Sequence, residues 1–326
     1  MNILQIVKLA VSANAAALLC ASLSAQSPIN APPALLPDEI TLTLESVVPV
    51  TVNGIELQME VRPDASGFPV INPDIAARLG LEPRRGADFQ FGPVVVPTSV
   101  QKAQVDFGAG AKEMKLSWAD KAVSTLADGV VGLYDVPFKR VTYELAEPGA
   151  VERLQILPLK VRGGGVNKRL GTESDVGRKT MTFIFSLGRT ENLITAPTAN
   201  FIATHQEGGF VEDSDGLARM NFGVKRPTRD MRIAYPIELG DLRIERFAVR
   251  VADYGTPNRV GEIEENDLRF DANQILVSRR KRRGKPDRLT RLGRDQIAHC
   301  SRLTFDLDAM EASLSCGPRP DTAADR

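Results

Sequence analysis

Apolar residues recur at every second position from 48 to 61: Val48, Val50 and Val52, then Ile55, Leu57, Met59 and Val61, on either side of Asn53-Gly54. Alternation with a period of two marks half-buried strands, and Asn-Gly tolerates the positive φ of a type I′ turn, so this spacing predicts a hairpin. Downstream, Asn72 precedes Pro73, with Asp74 in the first turn and Gly80 beyond, which predicts a short capped helix. VVVPTSVQ, AQVDFG and EMKLSW read as further short strands, and Val130-Val131-Gly132 leads into an alternating strand with Val141, Tyr143 and Leu145. Long amphipathic helices are missing from the pattern. Short strands punctuated by Gly and Pro predict a mostly β domain ending near residue 148.

The second half follows the same plan. LQILPLKV (154–161) and MTFIFSLGRTENLITAPTANFIA (181–203) read as strand, Gly-rich excursion, strand, loop and short helix, and ENLITAPTAN parallels FPVINPDIAA of the first half. IELGDLRIERFAVRV is a further strand pair, and LGRDQIAHCSRLTFDLDAMEASL resembles the earlier closing segment VGLYDVPFKRVTYEL. Two similar β units predict a bilobal molecule with a cleft between its lobes, and the short linker around Glu147–Val151 favours contact between them.

Composition narrows the class. Of 326 residues, 43% are hydrophobic and 25% charged, an ordinary globular balance with room for two cores, which excludes disordered and fibrous classes. Basic and acidic residues are equal at 41 each, so no overall field draws the chain to nucleic acid, and any electrostatic function is local. Residues 1–25, with Lys8, an apolar stretch from Leu9 to Leu23 and small residues around Ala25, read as a signal peptide cleaved near Ala25. The stretch is short for a membrane span and diluted by Asn14, and Leu18 and Leu19 argue against a lipid anchor at Cys20. The expected product is periplasmic, in a Gram-negative bacterium, or secreted. Its organisation reads as a Pro-rich linker (26–39), lobe 1 (40–148), lobe 2 (149–318) with a basic insertion (278–294), and a disordered tail (319–326).

The hairpin VPVTVNGIELQMEV, the helix NPDIAARLGL and the later DGVVGLYD, in that order, resemble pepsin/retropepsin-like aspartic peptidases, in particular bacterial exported proteins with two tandem retropepsin-like units. The similarity covers most of 40–148 and, more loosely, 152–316. It implies a bilobal, pepsin-like, mostly β fold with short helices, neither cofactor nor metal, and one Asp from each lobe sharing a proton around an attacking water. Lobe 1 offers Pro63-Asp64-Ala65-Ser66-Gly67 in place of Asp-Thr/Ser-Gly. Counting back from the helix puts Pro63 at the Asp position, so Asp64 fits only with one residue deleted from the loop. Lobe 2 offers Ser186-Leu187-Gly188, with Ser186 at the Asp position and only the Gly retained. Asp64 is thus the residual catalytic candidate, against a reading as a turn residue or hydrogen-bond acceptor.

The resulting expectation is an aspartic-peptidase-like protein lacking catalysis that binds an extended peptide or protein in its cleft. One alternative is an active endopeptidase using Asp64 with a second acid. Another is a module that binds anionic surfaces, a membrane or an acidic protein, through Arg279, Arg280, Lys281, Arg282, Arg283 and Lys285; the same run also reads as a solvated loop. It falls where lobe 2 should carry a hydrophobic–hydrophobic–Gly element, Ile275-Leu276-Val277 having no Gly until Gly293. Cys300 and Cys316 flank a strand–turn–strand and pair as a disulfide in an oxidising compartment, or stay as thiols, since simple hairpin register does not set them opposite. His205 and His299 lack ligand spacing, Gly163-Gly164-Gly165 reads as a hairpin tip, and Asp213-Ser214-Asp215-Gly216 as a solvated hairpin loop.

Overall fold

The alternating stretch does fold as a hairpin, and it closes into a barrel. The computed structural model describes residues 37–65, 67–164, 168–252, 258–259 and 289–319; the segment read as a signal peptide, Ser66, Gly165 and the basic run 279–285 lie outside the described residues. Lobe 1 contains β1 (Glu39–Leu42), β2 (Val47–Val52), β3 (Ile55–Arg62), β4 (Val70–Ile71), helix α1 (Pro73–Arg78), β5 (Phe89–Phe91), β6 (Val94–Val96), β7 (Ser99–Asp106), β8 (Lys112–Trp118), β9 (Gly129–Gly132) and β10 (Arg140–Glu144). β2, β3, β9, β4, β8 and β7 form a closed barrel. Val48, Val50, Val52, Leu57, Met59 and Val61 all point into it, as period two requires. Asn53 and Gly54 both have positive φ, +48° and +83°, which the tight connection needs.

Lobe 2 contains β11 (Arg153–Pro158), β12 (Lys160–Arg162), β13 (Arg169–Val176), β14 (Lys179–Phe185), β15 (Leu193–Thr195), helix α2 (Ala196–Gln206), β16 (Gly208–Arg219), β17 (Lys225–Leu239), β18 (Leu242–Arg250), β19 (Asn258–Arg259), β20 (Leu289–Leu292), β21 (Cys300–Asp306) and β22 (Glu311–Cys316). An eight-stranded sheet runs β12-β13-β14-β20-β15-β18-β17-β16. The Asp213–Gly216 stretch is exposed strand within β16 and not a loop; a register shift between Phe210 and Asp215 accommodates Asp213 at φ +51°.

Both lobes bring three strands together in one way. In lobe 1, β9 lies parallel to β3 and antiparallel to β4; in lobe 2, β20 lies parallel to β14 and antiparallel to β15. β20 followed by Gly293 therefore takes the place for which Ile275-Leu276-Val277 was the sequence candidate. Gly293 is required there, because a Cβ would lie 2.0 Å from the carbonyl oxygen of Thr190. Arg291, read as part of the basic insertion, belongs to this sheet.

A five-stranded sheet, β1-β10-β21-β22-β11, joins two strands of lobe 1 to three of lobe 2 through the β10–β21 pair. One apolar cluster consequently runs from the barrel (Leu57, Val131) through Val141 and Phe305 to Phe183 and Phe247, so the lobes share a core where composition suggested room for two. Within this sheet Cys300 and Cys316 stand directly opposite and form a disulfide, because a bulge at Ser301 shifts the hairpin register by one residue. A second cluster joins β6 to the tip between β16 and β17, where Phe222 meets Phe89 edge-on at 5.0 Å.

Candidate functional site at the lobe junction

The loops that follow β3 and β14 meet between the lobes. Arg62-Pro63-Asp64-Ala65 is a tight turn closed by Ala65 N–H donating to the Arg62 carbonyl at 3.2 Å, with Pro63 at the position where its fixed φ is favourable. Ser186-Leu187-Gly188-Arg189 is the corresponding turn, closed by Arg189 N–H donating to the Ser186 carbonyl at 3.3 Å. Strand register agrees: Arg62 is paired with Gly132, and the Ser186 N–H donates to Leu292, next to Gly293. Ser186 therefore corresponds to Arg62, not to Pro63, and Asp64 corresponds to Gly188. The lobe 1 loop is one residue longer than its counterpart between this turn and the next strand, which is why counting back from the helix misplaces it by one.

Asp64 is 8% exposed and Ser186 fully buried, and the Ser186 hydroxyl donates to Asp64 Oδ2 at 2.6 Å. Arg62 Nε donates to Oδ1 at 3.2 Å, Arg291 Nε lies 3.8 Å from Oδ2, and Arg189 Nε donates to the Ser186 hydroxyl at 3.2 Å. Burial alone pushes the Asp64 carboxyl up, but Arg62, then Arg291, the Ser186 hydrogen bond and Arg189 outweigh it and hold the group far below the usual carboxylate range. Arg62 is correspondingly raised, chiefly by Asp64, while burial lowers Arg291 to about 10, with Arg169, Arg189 and Arg250 adding repulsion that Asp64 opposes. The groups that face Asp64 are thus cations and a hydroxyl. The carboxylate of Glu60 lies 3.9 Å from Arg62 Nε and accepts from the Ser124 hydroxyl at 2.9 Å.

Above this cluster lies a cleft of about 680 Å³. Lobe 1 contributes Glu60, Arg62 and residues 121–126; lobe 2 contributes Gly188, Arg189 and residues 219–225 at the hairpin tip. Asn72 shapes the lobe 1 wall, but not by capping α1. Its Oδ1 accepts from the N–H groups of Val123 and Ser124, and its Nδ2 donates to the carbonyls of Ser124 and Ala127, fastening that loop down.

Of the other sequence candidates, Pro63 and Leu187 are buried turn residues, Ala65 is half-buried against the second apolar cluster, and Gly67 is half-buried. Gly188 lies beside the Arg62 guanidinium, which reaches across from lobe 1. His299 and the two cysteines lie within 4.8 Å, but the sulfurs are engaged in the disulfide. His205 is exposed at the end of α2, its Nδ1 2.9 Å from the Phe201 carbonyl. Arg62, Arg189 and Arg291 were not identified from the sequence as a group. Arg62 falls on the polar phase of the alternating strand β3, so periodicity gave it no mark.

No family model and no curated protein matches this chain. Among solved structures, the chain is similar to the EIAV protease in complex with an inhibitor, at 16% identity and a TM-score of 0.23, over 27% of this chain and 80% of that one. It is similar to a retropepsin-like aspartic protease from Rickettsia conorii at 13% identity and a TM-score of 0.24, over 27% of this chain and 74% of that one. A retroviral protease-like domain of Ddi1 from Leishmania major is matched at 19% identity and a TM-score of 0.22, over 29% of this chain and 74% of that one.

Proposed function

We propose that this chain is an exported, aspartic-peptidase-like protein without peptidase chemistry, which binds an extended peptide in the inter-lobe cleft. The observation that carries this reading is the direct 2.6 Å hydrogen bond from Ser186 to Asp64. Proton-sharing catalysis needs two carboxyls, one neutral and one ionised, with a water held between them. Here the second group is a hydroxyl, the contact leaves no space for a water between the two side chains, and the arginines keep Asp64 ionised, a poor base. The cleft itself has the size of a ligand pocket, which supports binding without turnover. The Cys300–Cys316 bridge supports an oxidising destination, in keeping with the N-terminal segment.

The test is a peptide-library assay of the purified exported protein from acid to neutral pH, with and without a transition-state-mimicking aspartic-peptidase inhibitor. The expected result is no inhibitor-sensitive cleavage. Cleavage that the inhibitor blocks and that Asp64→Asn abolishes would overturn the proposal.

A further inference from the structure

Resting on the cleft-binding reading, we infer that the peptide the cleft takes is acidic. Five cationic side chains line it, Arg62, Lys121, Arg189, Arg219 and Lys225, against the single carboxylate of Glu60. The floor cations Arg62 and Arg189 are already turned toward Asp64 and Ser186. The rim is different. Arg219 and Lys225 are direct partners across the β16–β17 pair, so their side chains share one face. Like charges directly opposite on paired strands repel, and the fold alone gains nothing from them. Their side chains make no hydrogen bond or ion pair among the described residues, although Arg229 and Asp215 on the same hairpin do form one at 3.0 Å. Phe222, buried against Phe89 at the tip, fixes this pair of cations over the cleft.

An extended chain bearing Asp or Glu would set its carboxylates against Arg219 and Lys225. The half-exposed Leu126 on the opposite wall offers apolar contact to the intervening residues. The chemistry selected is a peptide carboxylate in a low-dielectric groove, where several cations of one sign raise the local concentration of anionic ligand.

Labelled Glu-rich, Lys-rich and uncharged peptides of equal length, titrated into the purified protein by fluorescence anisotropy at low and high salt, test this. The Glu-rich peptide is expected to bind about tenfold or more tightly than the uncharged one and to weaken with salt. Lys225→Glu should weaken it about tenfold while leaving the melting temperature unchanged or higher, because the new carboxylate faces Arg219. Equal affinity for the Glu-rich and uncharged peptides, preference for the Lys-rich one, Glu-rich binding indifferent to Lys225→Glu, or displacement of the peptide by anionic vesicles would each overturn the inference. Uncharged-peptide binding that Leu126→Asp weakens would leave the cleft reading standing without the acidic preference. No binding of any peptide would remove both.

Discussion

Asp64 and Asp135 are both withdrawn from water, yet they are pushed in opposite directions. For each the largest influence is burial, which favours the neutral acid. At Asp64 the arginines of two lobes converge and reverse the result. At Asp135, burial raises the carboxyl to about 6 and Lys168 opposes it only in part. The Lys168 ammonium sits 3.9 Å above the Tyr134 ring, and Asp135 Oδ2 is buried with no hydrogen-bond partner among the described residues. The lobe 1 loop beneath the cleft therefore holds an acid that stays ionised well into the acid range, and the acid whose carboxyl is raised does not line the cleft. Charge around a loop, more than burial or the presence of an Asp, decides whether it can handle protons.

The comparison is broken most severely at Asp64. Asp64→Asn leaves Arg62, Arg189 and Arg291 facing one another without their shared counter-ion, and is expected to destabilise the fold by about 3–5 kcal/mol in urea unfolding at neutral pH. The same carboxylate sets the acid limb. Its folded pKa lies below its unfolded value of 3.8, so its stabilisation is full above about pH 4 and is lost as pH falls toward the folded pKa. The loss is on the order of 3 kcal/mol, and Asp64→Asn should flatten that limb. A variant that loses under about 1 kcal/mol would show that the charges do not hold the junction.

Asp135 should answer with the opposite sign and a smaller effect. Its folded pKa is raised to about 6, so its contribution is full below about pH 4 and lost as pH rises through 6. Asp135→Asn is expected to raise stability at pH 7–8 by about 1–2 kcal/mol, since an amide has no charge to desolvate, and to bring no gain at pH 4. Thermal unfolding at the two pH values separates this from a general packing effect, which would appear at both.

Local signals were legible where local physics decides: the Asn53-Gly54 turn, the alternation of the barrel strands and Gly80 at φ +63° after α1. The parallel between the two halves also picked out Ser186 opposite the lobe 1 loop. The sequence did not show the arginines gathered around that contact. Arg291 stands at the end of a basic run and looks like surface; it is largely withdrawn from solvent because β20 pairs in parallel with β14, a contact that periodicity along the chain cannot reveal. Asn72 carries the residue type and position of a helix cap, but a loop fifty residues downstream competes for the same side-chain atoms and wins. The cysteine register depended on one bulged residue, Ser301, with no sequence mark.

Ser186→Ala sharpens the comparison with the smallest change. It removes the donor to Asp64 Oδ2 and the acceptor for Arg189 Nε, but leaves Arg62 and Arg291 beside the carboxylate. If charge dominates, the variant loses about 1–2 kcal/mol, the scale of one hydrogen bond to a charged group, and its acid limb moves only slightly toward higher pH. If the hydroxyl dominates, Ser186→Ala and Asp64→Asn destabilise equally, and the double variant is no worse than either. A double-mutant cycle measured by urea unfolding distinguishes the two cases, because the coupling energy reports the Ser186–Asp64 contact separately from the arginines. A coupling well below the full effect of Asp64→Asn would place most of the junction's stability in the pairing of one carboxylate with cations from both lobes.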